Sequence, residues 1–245
     1  MKQYEAVIRV MEENGGYATL GYLYQNVLKV KGVEWKTKTP FASMRRIVQD
    51  ERFFFKIRPG LWALKKWRDR LPDEMQPAKK RAPEAQLFTH SYYQGLVVQI
   101  GNLKGLETFV PPQDKNRAFL GKQKLGQIAT LSQIYPFTYP ETVRRANMID
   151  VVWFNERKMP ASVFEIEHST NMRDALVKFV EMQDFRTEMC IVADAARRRQ
   201  FGETLTFGAF TPIRKYVRFM SYSEVSDYHS NISRLAALED QFRAG

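Results

Sequence analysis

The sequence predicts two folds in series: a small α+β domain over residues 1–65 and a larger α/β domain with a mixed sheet over 89–245. Three observations carry this expectation. Apolar residues recur at helical spacing three times and are followed by two short β-type runs. A charged stretch with three prolines and almost no periodicity comes next, Lys65–Gln86. Beyond it the order is helix, strand, strand, strand, helix, strand, in which a hairpin precedes a helical crossover.

In the first domain Tyr4, Val7, Ile8 and Met11 fall on one helical face, and Asn14-Gly15-Gly16 ends that helix. A second stripe runs through Leu20, Leu23, Tyr24, Val27 and Leu28. Thr39-Pro40 reads as an N-cap with proline at the first helical position. The third helix buries Phe41, Met44, Ile47 and Val48. Phe53–Ile57 and Leu61–Leu64, joined through Arg58-Pro59-Gly60, make a terminal hairpin. Three helices and a hairpin form a winged helix, in which the last helix can enter the major groove of double-stranded DNA. Ser43, Arg45, Arg46 and Gln49 on that helix, Lys36 and Lys38 before it, and Lys56 and Arg58 at the wing are the candidate DNA contacts. The same charges also suit an ordinary solvated surface, and winged helices also dock proteins.

The YEAVIRVMEENGG opening, the TPFASMRRIVQDER helix and the F-x-K-I-R-P-G-L-W-A-L wing resemble the HARE-type winged helix. That resemblance implies a chromatin-associated or restriction-nuclease context. Residues 66–88 are expected to form an exposed linker.

The second domain opens with a helical pattern, Thr89–Lys104, then an extended run at Thr108–Val110. Met148–Phe154 and Ala161–His168 are β-type, Thr170–Phe185 is helical, and Met189–Ala193 and Val217–Ser221 are strands. Three acids sit on the central hairpin: Asp150, Glu165 and Glu167. Strand side chains alternate, so Glu165 and Glu167 share one face while Phe164, Ile166 and His168 take the other. Acids converging among apolar neighbours are costly unless paired or bound to a cation, and hard oxygen ligands suit Mg²⁺. An exposed polar face, or pairing with arginines, is the alternative, and the order of elements around the acids favours the cation.

I-D-V-V-W-F, a turn, then V-F-E-I-E-H-S-T resembles the PD-(D/E)XK nuclease superfamily, the restriction-endonuclease-like fold. The resemblance implies a Mg²⁺-dependent DNA endonuclease of restriction type, with Mn²⁺ as a substitute ion. Asp150 and Glu165 match its metal-binding acids, and Glu141 is a candidate additional ligand. Ile149 replaces the motif's proline, and Glu167 stands where a lysine is usual. A glutamate there can position or deprotonate the attacking water, but it cannot donate positive charge. Lys178 is set nearly opposite the stripe Met172, Leu176, Phe179 and Val180, which predicts it in solvent, whereas Gln183 falls on the stripe. Ser169-Thr170 reads as a helix N-cap, His168 as a packed histidine and Cys190 as a buried, inert thiol. Arg197-Arg198-Arg199 either lines a DNA channel or forms a solvated helix face.

Composition narrows the function further. Lys and Arg total 38 against 27 Asp and Glu, a net charge of +11. The first 86 residues hold 18 basic and 10 acidic side chains, so most of the excess lies there, as a part that meets a polyanion requires. A lone cysteine and three scattered histidines exclude an intrachain disulfide and a finger-type zinc site. No apolar run spans a bilayer, no phosphate-binding G-x-x-x-x-G-K-[ST] occurs, and the amino terminus is no signal peptide. The expectation is a cytoplasmic protein acting on double-stranded DNA as a homodimer, without membrane or nucleotide cofactor. A non-catalytic DNA-binding regulator, or an accessory subunit on a degenerate nuclease fold, is the alternative.

Overall fold

The computed structural model describes residues 1–76, 83–121, 123–168 and 171–244. Two compact units emerge: Met1–Ala85 together with Ser226–Gly245, and Gln86–Val225. The sequence boundaries placed all of 89–245 in the second domain; the structure assigns the final stretch to the first unit instead.

In the first unit, α1 (Gln3–Glu13), α2 (Leu20–Asn26) and α3 (Pro40–Ile47) surround a core of Val7, Met11, Leu23, Val27, Met44 and Val48. A short strand the sequence did not reveal, β1 (Tyr17–Thr19), joins β2 (Phe54–Arg58) and β3 (Leu61–Leu64) in a three-stranded sheet of order β1-β3-β2. Three residues are too few to show an alternation, and all three are buried. Thr39 stands at the N-cap of α3 with Pro40 after it, but its side chain makes no capping bond. Ile47 is only half-buried, while Phe41, Met44 and Val48 face the core as their spacing requires.

The expected linker is partly structured. Lys65–Arg70 and Asp73–Met75 make 3₁₀ turns, and Leu71 and Met75 are buried. Its residues 77–82 lie outside the described residues. The next helix, α4 (Pro83–Leu103), starts earlier than the apolar pattern indicated.

The second unit is built on a five-stranded mixed sheet. Its strands are β4 (Glu107–Phe109), β7 (Val151–Phe154), β8 (Pro160–Glu167), β9 (Glu188–Ala193) and β10 (Val217–Ser221), in the order β10-β9-β8-β7-β4. Between β4 and β7 the chain forms a small hairpin, β5 (Ala118–Leu120) and β6 (Gln123–Lys124), then α5 (Leu125–Ile128) and α6 (Pro140–Ala146). β7 runs antiparallel to β4 and β8, while β8, β9 and β10 are mutually parallel. The parallel step from β8 to β9 is bridged by α7 (Met172–Val180), and that from β9 to β10 by α8 (Arg198–Leu205). Met172, Leu176 and Phe179 of α7 pack with Val152, Phe154 and Val163 of the sheet. α7 is shorter than the periodicity suggested. Its N-cap is Asn171, whose side chain accepts the Arg173 N–H; Ser169 and Thr170, expected there, lie outside the described residues.

Two glycines let α4 lie close to its neighbours. A Cβ at Gly95 would meet Phe119 at 2.1 Å, and one at Gly101 would meet Trp153 at 2.6 Å. The last helix, α9 (Tyr222–Ala244), gives Tyr222 to the second unit and everything from Ser226 onward to the first. The apolar residues Ile232, Leu235, Ala236 and Leu238 do not form its buried face: Leu235 and Leu238 are exposed. Ser226, His229, Ser230, Ser233 and Ala237 are buried instead. Ser226 donates to the Pro59 carbonyl at 2.9 Å, and a Cβ at Gly21 would touch Ser233 and His229. Small and hydroxylic residues allow that close approach; a leucine stripe would not. Among the described residues no helix is long and apolar enough to cross a membrane.

Candidate active site

Asp150 immediately precedes β7, and Glu165 and Glu167 lie on β8, so the antiparallel register of Val151 with Phe164 brings the acids together. All three are buried, at 8%, 2% and 5% exposure. The Asp150 N–H donates to Glu165 Oε1 at 3.3 Å, and Asp150 Oδ2 accepts the Ile166 N–H at 2.7 Å. Burial on the β8 face that carries Val163 follows from period-two alternation, and that face also meets α7.

Lys178, on α7, reaches this group of acids. Its Nζ donates to both Glu165 oxygens, at 2.8 and 2.9 Å, and to the Met148 carbonyl at 3.0 Å. The side chain is 32% exposed, against the expectation of full solvation. Helical angle counting places the Cα–Cβ direction, but the four-carbon stem lets the ammonium reach sideways to a buried carboxylate. Gln183, expected on the buried stripe, is exposed beyond the end of α7, and Met182 fills the core instead.

Sequence reasoning missed three further members. His90 Nε2, on α4, faces Asp150 Oδ2 at 3.5 Å. Asp114, in the loop after β4, is 2% exposed and pairs with Arg117 at 3.0 Å. Gln94 Nε2 donates to Asp114 Oδ2 at 2.9 Å and to the Asp150 carbonyl at 2.7 Å. One candidate ligand atom from each of His90, Asp114 and Asp150 lies within 4.8 Å of the others. Gln94 lies 56 positions from Asp150, and no local spacing signals such a group. His90 and Gln94, one helical turn apart on α4, were the available signal.

The electrostatics fit a site that wants a cation. Burial pushes the Asp150 carboxyl up, opposed by the charge of His90. Burial and then the Asp150 charge push Glu165 well up, opposed by Lys178. Burial works to lower Lys178, but the charge and hydrogen bonds of Glu165 outweigh it and leave the ammonium strengthened. The buried donors, hard carboxylate oxygens with an imidazole nitrogen beside them, are ones a divalent cation accepts.

Other expected residues take varied places. Glu141 is exposed in the first turn of α6 and is not part of the His90–Asp114–Asp150 group. Arg197 approaches Glu167 at 3.7 Å with a side chain only 16% exposed, so this arginine turns inward. Arg198 pairs with Glu224 at 2.8 Å and Arg199 with Glu203 at 2.8 Å. His168 packs by Tyr222. Cys190 is buried and its thiol is pushed up to about 12, mainly by desolvation. In the first unit Lys36, Lys38, Arg45, Arg46, Gln49 and Lys56 are exposed, whereas Ser43 and Arg58 are half-buried.

Residues 70–242 match the family described as the type II restriction enzyme NmeDI C-terminal domain. Residues 2–67 match the HARE-HTH family, whose description includes ASXL and restriction endonuclease HTH domains. Among curated proteins, the chain is similar to the type II restriction enzyme NmeDI of Neisseria meningitidis serogroup C, 27% identical over 154 residues. That alignment covers 58% of this chain and 42% of the relative, so the chain spans about two fifths of that enzyme's length. No solved structure matches the chain.

Proposed function

The chain belongs to the NmeDI C-terminal domain family and carries a HARE-HTH domain; from that premise we propose that it is a divalent-metal-dependent DNA endonuclease of restriction type, with a PD-(D/E)XK active site. The observation that carries this reading is the convergence of Asp150, Glu165 and Lys178 in one buried cluster beside Glu167. An acid pair with a lysine is the charge arrangement phosphodiester hydrolysis needs, and here the lysine comes from α7 rather than from β8.

Asp150 and Glu165 would hold the cation, Mg²⁺ with Mn²⁺ as a substitute. Bound there, it would supply charge neutralisation at the phosphoryl oxygen and acidify water. Glu167 orients the attacking water and takes its proton. Lys178, held by Glu165 and the Met148 carbonyl, presents positive charge to the phosphate as negative charge builds on it. Arg45, Arg46 and Gln49 of α3 and Lys56 of the wing contact the duplex. Each chain offers one such cluster among the described residues, so a double-strand break takes two chains, most simply a C2 homodimer. Sedimentation on a two-site duplex tests the dimer; a monomeric complex that only nicks overturns it.

The test of function is incubation of the purified protein with plasmid and genomic DNA, base-modified and unmodified, in Mg²⁺ or EDTA. Cutting in Mg²⁺ alone is expected. Duplex binding without cutting in either ion would replace the enzyme with a DNA-binding regulator. The regulator reading draws its motive from the absent motif lysine, and the position of Lys178 on Glu165 supports the enzyme instead.

A further inference from the structure

We propose that His90, Asp114 and Asp150 form a cation position of mixed nitrogen and oxygen donors, selective for a first-row transition ion such as Mn²⁺ over Mg²⁺. It deepens the nuclease reading, since it shares Asp150 with the proposed cleavage site and rests on that carboxylate serving a cation.

The three residues come from separate elements: α4, the loop after β4, and the entry to β7. His90 Nε2 is buried, has no hydrogen-bond partner, and faces Asp150 Oδ2 at 3.5 Å. That gap is too long for a useful hydrogen bond. It matches the separation of two atoms bound to one ion at about 2.1 Å, which is roughly 3–3.5 Å between right-angle and tetrahedral geometry.

Gln94 provides an independent indication. It is wholly buried, its Nε2 spans Asp114 and the Asp150 carbonyl, and its Oε1 has no partner. A glutamine locked between two of the candidate ligands orients both, as outer-shell groups around metal ligands do. An unpaired buried amide oxygen is costly unless something binds it. Arg117 holds Asp114 from the other side at 3.0 Å, which fixes the carboxylate's direction.

The donor chemistry sets the ion class. Imidazole favours later first-row metals over Mg²⁺, while two carboxylates keep the site within reach of Mn²⁺. Lys178 already sits on both Glu165 oxygens, so Glu165 is engaged with an ammonium while Asp150 faces His90.

Mn²⁺ binding to the full chain, read by electron paramagnetic resonance and calorimetry without DNA and with Mg²⁺ as competitor, tests the proposal. Wild type is expected to bind Mn²⁺ at least about tenfold more tightly than Mg²⁺, and His90→Ala and Asp114→Asn to lose that preference by about tenfold or more. The two ligand variants alter different elements, and circular dichroism identifies any that is unfolded. An unchanged preference for Mn²⁺ in the folded variants overturns the proposal. A parallel plasmid assay separates the two readings. Cutting without His90-dependent Mn²⁺ binding sinks only the ion site, and His90-dependent Mn²⁺ binding without cutting sinks only the nuclease.

Discussion

The two units treat charge in opposite ways. In the first, the cations sit in water: Arg45, Arg46, Lys56 and Lys38 are exposed, and its buried ionisable ring, His229, is kept neutral by desolvation. In the second, charge is turned inward: Asp114, Asp150, Glu165 and Glu167 are buried, faced by Arg117, His90, Lys178 and Arg197. Exposed charge costs little and acts at a distance on a polyanion. Buried charge survives only where partners offset desolvation, so a cluster of it marks chemistry rather than solubility. Under the proposed reading, one unit meets the duplex and the other acts on it.

The largest expected effect breaks the comparison on the chemical side. Asp150→Ala or Glu165→Ala should lower plasmid cleavage by on the order of 10³-fold while leaving duplex affinity unchanged. A wild-type rate in either variant would end the active-site assignment. Lys178→Ala should slow cutting by about 10²-fold and also destabilise the second unit by about 2 kcal/mol, because Glu165 is left buried without its ammonium. Lys178→Met combined with Glu165→Gln should recover most of that stability and none of the activity. Denaturant melts and cleavage rates measured together distinguish pairing from catalysis.

On the binding side the effects are smaller. Arg45→Ala or Arg46→Ala should cost about 1–3 kcal/mol in site selection if they read base edges, or weaken all sequences alike if they touch phosphates only. Fluorescence anisotropy on specific and random duplexes over a salt series separates these outcomes. A fragment of residues 1–86 is a poorer vehicle for that measurement than its sequence suggests, since Ala237 and the serine face of α9 belong to the same unit.

The pH responses should also differ in sign. His229, buried and pushed down from 6.5 to about 4, contributes stability that is complete above pH 6.5 and lost as pH falls through 4. Glu165, pushed up from 4.5, acts the other way in chelator: its contribution to the second unit is complete below pH 4.5 and is lost as pH rises through the raised folded value. Hydrogen exchange at amides of Leu23 and Ile191 across a pH series reads each unit separately. His229→Gln should flatten the acid limb in the first unit only, and the same slope in both units would contradict the contrast. The smallest effect concerns Cys190: with its thiol pushed up to about 12, alkylation at neutral pH should wait on unfolding.

Much of this was legible because it depends on local periodicity. Three helical stripes and a hairpin, an alternating β8 that puts Glu165 and Glu167 on one face, and the succession β7, β8, α7, β9 follow from spacing alone, whereas β5, β6, α5 and α8 do not. Asp150, Glu165 and Glu167 were readable because acids inside strongly apolar strands contradict their surroundings. What escaped depends on distance through space. β1 is too short to carry a pattern. The buried face of α9 is serine, histidine and alanine, whose fit against Gly21 is a matter of close approach rather than hydrophobicity. Angle counting sends Lys178 to solvent because it stops at Cβ, while the ammonium lies several bonds further on. His90, Gln94 and Asp114 meet Asp150 only after α4 docks and the chain between β4 and β7 folds back. The sequence by itself determined which segments become helix or strand and where acids must be buried. Only the tertiary structure decided which long side chains and distant residues answer those acids, because a buried charge selects partners by proximity in space, and one-dimensional spacing does not record it.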